Sequence, residues 1–158
     1  MTHSACDRLI AALSEERVAV QEFVGLLQEE QRLLTANDID PLLALVERKS
    51  AQALRLNELS NICSRHLEKV SAALDNREIE AWFDANCKQG LPIWHEVRVL
   101  AGQAKQINDI NGELIMMKSR YNQQTFAALC GAVDQANLYG SNGKASFSTG
   151  TGRSLGSG

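Results

Sequence analysis

The sequence predicts an all-α protein. A long antiparallel helical hairpin is followed by a short linking helix and a long C-terminal helix, in a coiled-coil-like bundle. Three observations predict this. Ala, Leu, Glu, Gln, Lys and Arg dominate the 158 residues, a mixture that favours helix by intrinsic propensity. Pro occurs only twice and aromatic residues make up 5% of the chain, a composition that suits long helices better than a sheet core. Apolar residues also recur at heptad spacing along most of the chain.

The first helix is predicted from about Ser4 to Leu34, with Ser4 and Asp7 as a Ser-x-x-Asp capping pattern. Cys6, Leu13, Val20, Leu27 and Leu34 form one apolar line, spaced every seventh residue. A second line, Ile10, Arg17, Val24 and Gln31, is half polar and is flanked by Leu9 and Phe23. Glu15, Glu16, Glu22, Glu29, Glu30 and Arg32 are assigned to the opposite, solvated face.

The segment from Thr35 to Pro41 is a break, with Asp40 as N-cap and Pro41 at the first position of the next helix. That second helix is predicted to about Leu74. Its seam reads Leu42, Leu45, Lys49, Gln52, Leu56, Leu59, Cys63, His66, Val70 and Ala73. Two helices of similar length joined by a short loop pack antiparallel.

After Asp75-Asn76, a short helix carries Trp82 and Phe83 to about Cys87 and is expected to cover one end of the bundle. Gly90 ends it, and Leu91-Pro92 opens the last helix, whose periodicity continues to about Ala136. Its stripe is Ile93, Val97, Leu100, Ala104, Ile107, Leu114 and Tyr121. Gly102, Gly112 and Gly131 weaken this helix by about 1 kcal/mol each relative to Ala. The domain reading is therefore a helical bundle over residues 1–138 and a Gly/Ser-rich tail over 139–158, expected to be disordered.

The same residues argue against several functions. A net charge of −3 implies no broad basic surface, so nucleic acid is not an expected partner. The opening residues lack the basic and apolar segments of a signal peptide, and no apolar run approaches the ~20 residues of a membrane span. The expectation is a cytoplasmic protein without stable membrane insertion, with Cys6, Cys63, Cys87 and Cys130 as reduced thiols. His3, His66 and His95 have no metal-ligand spacing, and Cys63 with His66 supplies only two ligands. No Gly-x-Ser-x-Gly elbow and no phosphate loop occurs, so neither an enzyme nor a cofactor is expected.

Arg17, Gln31, Lys49, Gln52 and Asn111 fall where the seams call for apolar groups. Two readings stay open: register control, or a seam that is partly wet. The last helix offers a second feature. At ~1.5 Å per residue it reaches about 65–70 Å, against about 45–50 Å for each arm of the hairpin. Its end therefore either overhangs the hairpin or kinks back. Phe126, Leu129 and Val133 rotate away from the Ile107-Leu114-Tyr121 line. With Met117 and Tyr121 they make a candidate partner-binding surface; the competing reading is a bent helix or a homodimer seam.

The stretch Asn108-Asp109-Ile110-Asn111-Gly112-Glu113-Leu114-Ile115 resembles the Asn-x-x-Asn-Gly-x-Leu-Ile signature of the FlgN-type flagellar export chaperones. Asn108, Asn111, Gly112 and Leu114 carry that motif. The order of elements is also similar: a hairpin with Lys49 in its second helix, a tryptophan-bearing link, then the motif. Leu138-Tyr139-Gly140-Ser141-Asn142-Gly143 resembles the Tyr-Gly-x-x-Gly stretch after the family's last helix. The resemblance implies a cytosolic chaperone that binds the C-terminal helices of the hook-associated proteins of the hook–filament junction. It would keep them from premature assembly and deliver them to the type III export gate. It assigns Tyr139 to docking on the cytosolic domain of that gate. The alternative is a self-associating structural coiled coil or adaptor.

Overall fold

The computed structural model describes the backbone of residues 2–70 and 75–121, and the side chains of 5–70 and 75–120. Among these, four helices and no strand occur: α1 (Thr2–Ala36), α2 (Ile39–Glu68), α3 (Asn76–Asn86) and α4 (Leu91–Tyr121). The all-α class and the order of elements are as expected. The 139–158 tail, and α4 beyond Tyr121, lie outside the described residues.

Helix α1 is the shared element, packing along α2 on one side and along α4 on the other. It runs antiparallel to α2. It runs parallel to α4, because Arg17, Leu27 and Asn37 meet Glu96, Asn111 and Lys118 in that order. Its buried seam is Leu9, Leu13, Glu16, Val20, Phe23, Leu27, Glu30 and Leu34, alternating steps of four and three. Cys6, Leu13, Val20, Leu27 and Leu34 are all buried as expected. The companion line is Leu9, Glu16, Phe23 and Glu30; of the expected Ile10, Arg17, Val24 and Gln31, Val24 alone is buried, and Glu16 and Glu30 leave the solvated face assigned to them.

The helix ends correct three expected boundaries. α1 begins at Thr2, so Ser4 lies inside it and does not cap it. At its other end Asn37 adopts φ 57°, the left-handed conformation that closes a helix. Asn37 N–H donates to Leu34 O at 3.2 Å and Asp38 N–H donates to Leu33 O at 3.0 Å, the paired bonds of a Schellman end. Because the chain turns so sharply, α2 starts at Ile39 with Asp38 as N-cap. Asp40 and Pro41 therefore fall within its first turn, where a missing N–H still costs nothing. α2 ends at Glu68 rather than Leu74, with Lys69 as C-cap.

Among the described residues, three apolar clusters fill the bundle. Ala19, Val20, Phe23, Val24, Leu27, Ala53, Leu56, Leu59, Ala101 and Ala104 form the middle. Leu33, Leu34, Leu42 and Ile115 close the end at the α1–α2 turn. At the opposite end Phe83 and Ile79 of α3 press into Leu9, Leu13, Leu67 and Trp94, so α3 covers that end as expected, with Phe83 buried and Trp82 at the margin. Asp75 caps α3 by accepting from Arg77 N–H at 3.3 Å. Burying each large side chain of this kind is worth roughly 1.5–3 kcal/mol.

The buried line of α4 differs from the expected stripe by a small rotation. It reads Trp94, Val97, Ala101, Ala104, Asn108, Asn111 and Ile115, while Leu100, Ile107 and Leu114 lie at its margin, only partly covered. The expectation of reduced thiols also fails at one pair. Cys6 and Cys87 form a disulfide with their Cα atoms 5.5 Å apart, tying α1 to the end of α3. Cys63 is free and buried. No described helix is long and apolar enough to cross a membrane.

Candidate functional site

Among the described residues, two places carry features beyond ordinary packing: a polar layer inside the bundle and an exposed apolar strip on α4. The layer is built from all three long helices. Heptad spacing aims Glu30 from α1, Lys49 from α2, and Asn108 and Asn111 from α4 at one point of the seam. Lys49 Nζ donates to both Glu30 oxygens at 3.0 Å and to Asn108 Oδ1 at 3.1 Å. Asn111 Nδ2 donates to Glu30 Oε1 at 2.8 Å and to the Leu27 carbonyl at 2.9 Å. Glu30 and Lys49 are each 1% exposed, so a full ion pair sits in the core.

Burial dominates the electrostatics of Lys49. It pushes the Lys49 ammonium below its ordinary pKa, while the charge of Glu30 and its hydrogen bond pull the other way. Every proton of the ammonium finds an acceptor, which is the condition under which an interior charge is tolerated. A second polar pair follows the same register. Glu16 and Cys63 lie two heptads from Glu30 and Lys49 on their respective helices, in the antiparallel sense, and the Cys63 thiol hydrogen-bonds to Glu16. Burial, then the negative charge of Glu16, push that thiol far above its usual range.

The motif residues therefore have interior roles. Asn108 and Asn111 hold the layer, Gly112 is buried beside them, and Leu114 packs at the edge of the Leu33, Leu34, Leu42 and Ile115 cluster. Of the two readings of Lys49 and Asn111, register control fits, since both are buried and the Lys49 Nζ and Asn111 Nδ2 donors are bonded across helices. Gln52 and Arg17 stand nearer the surface. Gln52 donates to the Ala19 carbonyl at 3.0 Å and to Glu22 at 3.1 Å, and Arg17 pairs with Glu96 at 3.1 Å. Glu30 is the member that sequence reasoning missed. Its signal was present, because Leu9, Glu16, Phe23 and Glu30 are spaced by sevens, but two carboxylates in a line of four resemble a solvated face.

On the outside, Met117 is 58% exposed and Met116 is comparable. Val99, Ile110 and Met117 stand on one solvent-facing line of α4, at steps of eleven and seven residues. Lys118 bonds Asn37 at the α1–α2 turn, so α4 has reached the end of the hairpin by that residue. Tyr121 is the last described residue of α4, its side chain not included. Phe126, Leu129, Val133 and Tyr139 lie outside the described residues. The premise of a stripe rotated away from Ile107 and Leu114 changes, because the buried line runs instead through Asn108, Asn111 and Ile115. No group of three or more His, Cys, Asp or Glu among the described residues is placed to hold a metal ion.

Comparison with known proteins bears on these residues. No curated protein and no solved structure matches the chain. A family profile does: the one described as FlgN protein matches residues 1–146, a span that includes the polar layer, the capping helix and the motif. The chain belongs to the FlgN family, a family of flagellar export chaperones.

Proposed function

We propose that the protein is a cytoplasmic chaperone for the hook-associated proteins of the flagellum. It binds their C-terminal helices, holds them unassembled and presents them to the cytosolic domain of the export gate. The observation that carries this reading is the division of labour on α4. Its motif asparagines are used up inside the bundle, whereas Met116 and Met117, near the end of the hairpin, keep their apolar surface outside. Methionine is adaptable and suits a surface that accepts more than one amphipathic helix.

Met117, Tyr121, Phe126, Leu129 and Val133 form the client surface in this reading. Burying one such side chain contributes roughly 1.5–3 kcal/mol. Several together are needed for micromolar affinity, about 8 kcal/mol, after the cost of association is offset. The test is a titration of the full chain with the C-terminal segment of each hook-associated protein. A Phe126→Ala, Leu129→Ala double variant keeps its helical circular dichroism and loses the client. Unchanged affinity in a folded double variant removes the assignment. Tyr139→Ala spares the client and weakens binding to the gate domain; unchanged gate affinity sinks the role of Tyr139. The competing reading, a self-associating coiled coil, predicts a concentration-dependent mass in sedimentation and no affinity for any hook-associated segment.

A further inference from the structure

We propose that Cys6 and Cys87 form a redox-controlled cap: their disulfide locks α3 down over the apolar end of the bundle, and its reduction lets α3 lift. Three observations carry this. The first is the weakness of the other anchors of α3. It has 11 residues, too few to hold a helix by propensity alone. It approaches the backbone of α4 over a short stretch. Its polar contacts to α4, Glu80 with His95 at 3.4 Å and Asn76 with Arg98, lie at the solvent-exposed surface. Ile79 and Phe83 supply the packing.

The second is where the link lies. Cys87 is the C-cap of α3, and its N–H closes the last turn on Phe83 O at 2.7 Å. Cys6 sits near the start of α1, 81 residues away in sequence. The bond thus fastens the cap to the helix that forms the floor beneath it. The third is burial. Both cysteines are nearly inaccessible, so a thiol reaches the bond only in a brief local excursion of the cap, and once the bond is cut nothing covalent draws α3 back. Cys63 shares the same cluster, but its thiol is held by Glu16 and resists ionisation, which keeps it from exchanging with the pair.

The chemistry is thiol–disulfide exchange with a low-molecular-weight disulfide such as oxidised glutathione. The thiolate of one cysteine attacks it, forming a mixed disulfide and releasing one glutathione thiolate. The second cysteine's thiolate then attacks the protein sulfur and expels the other. Two protein thiols are oxidised, one glutathione disulfide becomes two glutathione thiols, and excess dithiol reverses the sequence. The cap lies at the opposite end of the bundle from Met117 and the α1–α2 turn, so this inference stands apart from the client assignment.

The test uses the full chain carrying Trp82→Phe, so that Trp94 beneath the cap is the remaining tryptophan. Disulfide and dithiol forms are compared by amide hydrogen exchange and by acrylamide quenching. Reduction speeds exchange at Ile79 to Phe83 on the order of tenfold or more and raises Trp94 quenching, while amides around Phe23 stay unchanged. Oxidised glutathione restores the slow form. The Cys6→Ser, Cys87→Ser variant behaves as the reduced form under both conditions. Equal protection of α3 in the two forms overturns the proposal. So does failure of glutathione disulfide to form the bond, read by intact mass. Loss of protection throughout α1 on reduction overturns it too, because the bond would then be a global staple.

Discussion

Lys49 of α2 donates to Asn108 of α4 across 3.1 Å while gripping Glu30 of α1, so one ammonium group joins three helices inside the core. Removing it alone strands a buried carboxylate. Lys49→Met is expected to cost about 3–5 kcal/mol in urea unfolding. Glu30→Leu combined with Lys49→Met removes both charges and recovers part of that loss, with Asn108 and Asn111 left short of a partner. A double variant no more stable than Lys49→Met alone would show that the ion pair is not the source of the cost.

The same pair gives a pH signature. The folded-state pKa of Lys49 is depressed by burial below its ordinary value of 10.5. Between those two values the unfolded chain binds the extra proton, so stability rises with pH across that window. Below the folded value the ammonium is charged in both states and its desolvation cost is fully present. Measured against the Glu30→Leu, Lys49→Met variant, the wild-type chain should therefore gain relative stability as pH is raised from neutral towards 10.5. A flat or falling difference would contradict the depressed value.

Gly90 tests the seat of the cap. A Cβ there would lie 2.8 Å from Phe83 Cε1 and 3.2 Å from Cys87 Sγ. The Phe83 ring is fully buried and has little room to give way. Gly90→Ala is expected to destabilise by about 1–3 kcal/mol, measured by thermal unfolding of the oxidised chain. Gly102→Ala is the comparison, since nothing lies within 4 Å of its Cβ position; there the change should stabilise α4 by about 1 kcal/mol.

Cys63 should be inert in the folded chain. It is buried, and its thiol is pushed far above the usual range by burial and by Glu16. Iodoacetamide at neutral pH should label it only after denaturant is added. Rapid labelling of Cys63 in the native chain, mapped by peptide mass, would show that the α1–α2 seam opens there.

Much of this architecture was legible in the spacing of leucines. The line Leu13, Val20, Leu27 and Leu34, the hairpin, and the capping role of Phe83 follow from periodicity and break residues. Periodicity is less decisive where a seam residue is charged. Glu16 and Glu30 read as solvated because a lone carboxylate is almost never buried, and their partners Cys63 and Lys49 lie on another helix. On α4 the alanines and asparagines of the buried line are less conspicuous than Ile107 and Leu114, which drew the expected stripe one residue away. The disulfide was hidden for a different reason. Two cysteines 81 residues apart carry no local signal, and their pairing depends on how α3 folds back over α1.

The parallel arrangement of α1 and α4 has a consequence for how the chain is made. Asn111 reaches back 84 residues to the Leu27 carbonyl, so the third wall of the polar layer is synthesised long after the first two. At ~5–20 residues per second, the gap between finishing α2 and adding Asn111 lasts roughly two to ten seconds. Through that interval the nascent hairpin displays its unfinished seam to solvent. An aliphatic layer at that point would be a sticky face on a growing chain. A lysine paired with a glutamate tolerates water while it waits, and is buried once the last helix arrives.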